Sequence, residues 1–182
     1  MEKCHDFYEC LKDSHAAEDL PIWEEIYQAA FPNMQAMLNH RQDGDHQRVG
    51  IDRSVILSNG KQILIDEKVR LEAYDDILLE VWSDKERRKP GWVAKDLMCD
   101  YIAYAVLPLK VCYLLPVQQL RVAWRRKGRE WYSNNFRPQA KNRGYVTESV
   151  VVPTSELLSE INNALTINFI GKGVLRSGVS NI

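Results

Sequence analysis

The chain has 182 residues, 45% hydrophobic and 27% charged, with a net charge of −1. That is length enough for one domain with a real core, and the composition excludes a disordered or membrane-embedded chain. A net charge near zero identifies no partner class by itself, so charge has to be read locally.

Residues 1–20 form a polar N-terminal segment in which no long amphipathic pattern is legible. "PIWEEIYQAAFP" follows, and Trp23, Ile26, Tyr27 and Ala30 recur at helical spacing behind Pro21, a residue suited to a first turn. Pro32 kinks or restarts this helix into "NMQAMLNH", and "NHRQDGDHQR" is a charged loop. Three strand-like runs come next, at 49–57, 61–69 and 76–82. "SDKERRKPG" reads as a loop, and "WVAKDLMCDYIAYAV" as a helix with Val93, Leu97, Tyr101 and Tyr104 on one stripe. "KVCYLLP" is a short strand buried on both faces, and Pro116 opens the helix "VQQLRVAWRRKGREWY". After a polar stretch at 133–144 come the strand "YVTESVVVP" and the helix "TSELLSEINNAL", capped by Thr154 or Ser155.

The pattern predicts a mixed α/β domain over 21–165, with a central sheet containing an antiparallel three-strand meander flanked by helices. A tail is expected at 166–182. No apolar run reaches the ~20 residues that cross a bilayer, since Pro108 and Lys110 interrupt "YIAYAVLPLKVCYLLP". Cys4, Cys10, Cys99 and Cys112 form no CxxC pair and follow no secretory signal, so free thiols in the cytoplasm are expected. "CHDFYEC" fits no common zinc spacing.

The chemistry concentrates in "GIDRSVILSNGKQILIDEKVR", residues 50–70, a hairpin about "SNGK". A two-residue Asn59-Gly60 turn would set Asp52 opposite Glu67. A three-residue turn, Ser58-Asn59-Gly60 with Gly60 left-handed, would set Asp52 opposite Asp66 and Lys68 opposite Gly50. The second register sorts the side chains better. Ile51, Val55, Leu57, Ile63 and Ile65 share a core face with Arg53 and Glu67 at its rim, and Asp52, Ser54, Gln62, Asp66 and Lys68 share the other. Glu80, in "DDILLEVWSD", joins that second face if its strand pairs alongside.

Clustered carboxylates repel unless a cation sits among them, and oxygen-only ligands suit Mg²⁺ or Mn²⁺. With a lysine beside the metal, the set fits metal-assisted phosphodiester hydrolysis: Asp52, Asp66 and Glu80 as ligands, Lys68 to orient water or steady a phosphate. The competing reading is a solvated sheet face with a cross-strand ion pair.

Asp52 followed by Asp66-Glu67-Lys68 resembles the PD-(D/E)xK nuclease signature, in which an Asp on one strand precedes an (Asp/Glu)-x-Lys on the next. From about Trp23 to Trp124 the segments "AFPNM", "QRVGIDRSVIL", "ILIDEKVR", "DILLEVWSD", "PGWVAKDL", "DYIAYAV" and "CYLLPVQQL" resemble a family of phage and prophage proteins assigned to that superfamily. The resemblance implies a restriction-endonuclease-like core, a Mg²⁺- or Mn²⁺-dependent nuclease acting on nucleic acid, above all DNA, and a location in the cytoplasm of a bacterial host cell. Homodimers are common in the superfamily. Ile51 stands where the signature has proline. A second frame, with Asp66 as first acid and Glu80 as second, has Trp82 where the lysine belongs, so Lys68 would serve from the next strand. The superfamily often adds a glutamate from its first helix, and Glu25 is the better candidate of Glu24 and Glu25. Gln47 and Glu67 are further accessory candidates.

Between Arg121 and Arg143 the chain carries Arg121, Arg125, Arg126, Lys127, Arg129, Arg137, Lys141 and Arg143 against a single acid, Glu130. Trp124, Trp131, Tyr132 and Phe136 are interleaved. The stretch suits a phosphate backbone, or equally a basic helix face with core aromatics. "RRK" at 87–89 is a second small positive cluster, and His40 and His46 flank Asp43 and Asp45 in a loop expected to be hydrated. The alternative to a nuclease is a protein of the same fold that binds nucleic acid or protein without hydrolysis, such as a phage accessory or counter-defence factor.

Overall fold

The computed structural model describes residues 21–171. It is a mixed α/β fold of two sheets. The elements in chain order are α1 (Ile22–Ala30), β1 (Met34–Asn39), α2 (Gly44–Arg48), β2 (Arg53–Leu57), β3 (Gln62–Arg70), β4 (Asp76–Asp84) and β5 (Lys89–Pro90). They continue with β6 (Tyr101–Val106), β7 (Val111–Pro116), α3 (Val117–Asn134), β8 (Gln139–Asn142), β9 (Tyr145–Pro153), α4 (Thr154–Glu160) and β10 (Leu165–Asn168).

The larger sheet has the order β1-β2-β3-β6-β7-β10, and the smaller β5-β4-β9-β8. The larger sheet is mixed, because β3 and β6 run parallel while its other neighbours are antiparallel. Two cores result. Ile22, Trp23, Ile26 and Tyr27 of α1 cover one face of the larger sheet, over Val55, Ile63, Ile65, Ala103 and Leu114. The other face, through Ile102, Tyr104 and Leu115, packs with Ile77 and Leu79 of β4, Val150 of β9, Leu120 of α3 and Leu157 of α4.

The hairpin adopts the three-residue turn. Arg53 pairs with Ile65 and Val55 with Ile63, and Gly60 has φ +80°. Asp52 sits just before the ladder, its N–H donating to the Ile65 carbonyl at 2.9 Å. Ile51 departs from the expected face and joins the core with Ile77 and Leu79.

Several sequence expectations are corrected. "NMQAMLNH" is the edge strand β1, not a helix. Its residues suit a helix, but pairing with β2 overrides that preference. "WVAKDLMCDYIAYAV" divides into irregular chain and strand β6. The helical stripe was misleading because β6 is buried on both faces: Ile102 and Tyr104 enter one core, Ala103 and Ala105 the other. The three-strand meander does not form. β3 takes β6 as its second neighbour, and β4 pairs with β9 in the smaller sheet. "SDKERRKPG" contributes the end of β4 and all of β5, 139–142 form β8, and the charged loop holds the one-turn helix α2. Pro153, not Thr154 or Ser155, caps α4, with Thr154 buried in its first turn. The expected tail begins as strand β10, paired with β7 and followed by buried Phe169. Residues 1–20, with Cys4 and Cys10, and 172–182 lie outside the described residues.

Candidate active site

Residues from both sheets line a cleft of about 550 Å³. β3 contributes Asp66 and Lys68 to it, β4 contributes Glu80 and Ser83, and the chain from β5 onward contributes Lys89, Pro90, Trp92, Lys95 and Leu97. Gln47 and Gly50 close the end beside β2. Glu80 therefore meets Asp66 and Lys68 across the gap between two sheets, not along one sheet.

Alternation along β3 explains the sorting. Ile65 and Glu67 point toward α1, and Asp66 and Lys68 toward the cleft. Lys68 Nζ donates to Asp66 Oδ1 at 2.5 Å, with the Asp66 side chain 6% exposed and that of Lys68 30%. Asp52 touches Asp66 through its carboxyl. Its Oδ2 accepts the Glu67 N–H at 2.8 Å, and its Oδ1 accepts Gln47 Nε2 at 3.3 Å. Asp52 thus ties the start of β2 to β3 while standing directly behind Asp66.

Electrostatics follow from this burial. Burial pushes the Asp66 carboxyl up to about 6 against the pull of Lys68, and Asp52 pushes the same way. Glu80 is also raised, by burial, although Lys68, the Trp92 N–H and Lys95 oppose the shift. Burial alone would lower the Lys68 ammonium, but the charges of Asp66, Asp52 and Glu80 outweigh it and hold its pKa above the ordinary value. Both acids are raised chiefly by burial, and they share one lysine as the nearest opposing charge.

A pH effect on stability follows. The unfolded chain releases the Asp66 proton near 3.8, whereas the fold holds it to about 6. Asp66 therefore contributes a loss of stability to the metal-free protein as pH rises through that window, and Asp66→Asn should remove that contribution. Urea midpoints measured across the window check this; a wild-type midpoint that rises there to the same extent as that of Asp66→Asn contradicts it.

Glycines fix the walls. Gly50 has φ +73°, and a Cβ there would meet Leu97 Cδ2 at 2.5 Å. The space over its bare backbone is filled by Leu97. A Cβ on Gly91 would lie 2.3 Å from the Glu80 carbonyl oxygen, so Gly91 lets the chain after β5 press against β4. Its neighbour Trp92 then turns its backbone N–H to the Glu80 carboxylate.

The remaining sequence candidates lie elsewhere. Glu25 accepts the N–H groups of Ile170 and Gly171 at 2.6 and 3.2 Å, holding the chain after β10. Glu67 is buried under α1, accepting from Tyr27 Oη at 2.7 Å, Arg53 Nε at 2.6 Å and Arg41 Nη2 at 2.7 Å. None of Arg121, Arg125, Arg126, Lys127, Arg129 and Arg137 lines the cleft. Arg121 braces its wall from behind, bonding Asp96 at 2.7 Å and the Leu97 carbonyl at 2.6 Å. Arg126 pairs with Glu160, Lys127 with Glu130, and Arg137 lies over the Tyr132 ring. Arg125 and Arg129 are exposed, Arg129 beside a small aromatic pocket formed with Trp82, Trp124 and Tyr132. The rings of His40 and His46 stack at 4.3 Å, while His46 bonds Asp43 and His40 bonds Ser54.

The sequence reading missed Lys95 and Trp92 as cleft residues, and it placed Lys89 only in a loop cluster. "KPGW" was the available signal: a turn that carries a cation and an aromatic side chain back toward the acid-bearing strand. Among the described residues, no three Asp, Glu, His or Cys side chains form a ready metal cage, and no helix is long and apolar enough to cross a membrane. Comparison with known proteins gives no match to a family model, a curated protein or a solved structure.

Proposed function

We propose that the chain is a metal-dependent nuclease of the PD-(D/E)xK type with a restriction-endonuclease-like core, hydrolysing phosphodiester bonds in nucleic acid. The observation that carries this reading is the convergence of Asp66, Lys68 and Glu80, backed by Asp52, in one open cleft. The donor set is oxygen-only, which fits Mg²⁺ or Mn²⁺. Asp66 and Glu80 would hold the ion, with Asp52 behind Asp66. The ion would supply a Lewis acid and a bound water of lowered pKa.

The chain's own groups do the rest. Lys68, released from Asp66, donates to a non-bridging oxygen of the scissile phosphate and offsets the charge that grows as water adds. The Trp92 backbone N–H favours the charged form of Glu80, and Gln47 donates to Asp52. DNA is the favoured substrate, and the phage or prophage origin, the bacterial cytoplasm and a homodimer belong to the same proposal.

The test is Mg²⁺-dependent cleavage of labelled oligonucleotides by purified protein, with chelator as control. Cleavage that needs the ion supports the reading; persistent cleavage in chelator contradicts it. One observation favours the second reading, a nuclease-fold binding protein that does not hydrolyse: Lys68 already neutralises Asp66 at 2.5 Å, in the place where a cation would compete. That reading expects binding unaffected by divalent ions.

A further inference from the structure

Asp66 stands deep in the cleft, and Glu80 is half-buried across from it. The Asp66 side chain is 6% exposed, and the cleft volume of about 550 Å³ is of the size that encloses a small molecule. A duplex is a wide rod with its phosphates on the outside, and a strand locked in it cannot lower one phosphate into such a space. A single strand can, because its backbone rotates freely and its bases turn aside. The cleft wall is built for such a strand. Half-buried Trp92, packed in part against the core, lines the cleft together with half-buried Lys95 and exposed Lys89, so one wall carries an aromatic ring and two cations. That pairing serves single strands in particular: cations follow the backbone, and a ring stacks on any base, since every base has a π face.

Gly91 packs against the Glu80 backbone, and the Trp92 backbone N–H faces the Glu80 carboxylate, so the main chain that carries Trp92 is set beside one of the acids. The Trp92 side chain is partly packed against the core below the cleft. A base stacked on its remaining surface would set its adjoining phosphate near Glu80 and Asp66. The basic helix α3 offers no competing duplex surface at the cleft, since its arginines line none of it.

We propose that the cleft binds single-stranded or locally unpaired nucleic acid, with Trp92 stacking on the nucleotide next to the scissile phosphate and Lys89 and Lys95 contacting its backbone. This rests on the nuclease reading and narrows its substrate class.

The experiment compares fluorescein-labelled oligothymidine with a blunt duplex of equal length, by anisotropy in Ca²⁺ and by cleavage in Mg²⁺. Wild-type protein is expected to bind the single strand on the order of 10-fold more tightly. Trp92→Leu keeps apolar bulk without a π face and should erase most of that preference, whereas Trp92→Phe should keep most of it. Thermal melting of both variants shows that they are folded. Equal or tighter binding of the duplex by wild type, or a preference that survives Trp92→Leu, overturns the proposal. Asp66→Asn run alongside separates the two claims. Asp66-dependent cleavage without strand preference sinks only the stacking assignment, and strand preference without Asp66-dependent cleavage sinks only the nuclease reading.

Discussion

Asp66→Asn should lower Mg²⁺-dependent cleavage by roughly 100-fold or more while the protein stays folded. The amide keeps the shape of the side chain and one oxygen to accept from Lys68, but it loses the charge on which the proposed metal site depends. It also removes the group that burial holds protonated up to about 6, so the metal-free variant should be no less stable than wild type near neutral pH. Glu80→Gln should act in the same direction, since Glu80 faces the same lysine from the opposite sheet. Single-turnover cleavage with a urea titration of each variant checks both halves. Wild-type cleavage rates in Asp66→Asn would remove Asp66 from the chemistry.

Glu67→Ala should cost roughly 3–5 kcal/mol of folding stability. The Glu67 side chain is fully buried, with Arg53 7% and Arg41 12% exposed beside it. Alanine leaves two guanidinium groups and the Tyr27 hydroxyl around a vacated acceptor beneath α1. Burial and the Glu67 charge raise the Tyr27 pKa well above its ordinary value, so the hydroxyl remains a donor at any working pH. Glu67→Gln, which keeps an acceptor but loses the charge, should cost less than alanine. Urea denaturation with an unchanged m-value measures the difference. A Glu67→Ala variant of unchanged stability but reduced cleavage would instead place Glu67 in the accessory catalytic role expected from the sequence.

The two adjacent acids show how much of the site was legible. Alternation along "IDEKV" placed Asp66 and Lys68 together, and the Gly60 turn fixed the register, because both depend only on local geometry. The role of Glu67 depended on what covers the other face, which is α1 with Tyr27 and the chain around Arg41, and no local pattern carries that. Glu80 was expected in the cleft for a reason that did not hold. It arrives from the smaller sheet through β4 and β9, a long-range pairing outside the reach of sequence spacing. The same limit hid β6, whose burial on both faces imitates a helical stripe, and β1, whose strand form comes from an edge position. The basic run after Arg121 was legible as charge but not as location: Arg121 pairs with Asp96 behind the cleft wall, Arg126 with Glu160 of α4 and Lys127 with Glu130 along α3.

Under the proposed function, Asp66 and Glu80 jointly hold a divalent cation beside Lys68. Isothermal titration of Mn²⁺ into wild-type protein, Asp66→Asn and Glu80→Gln tests it most directly. Wild-type protein should show a saturable site that each substitution abolishes while the fold persists. Uptake that is absent from wild type, or that survives unchanged in both variants, would contradict it.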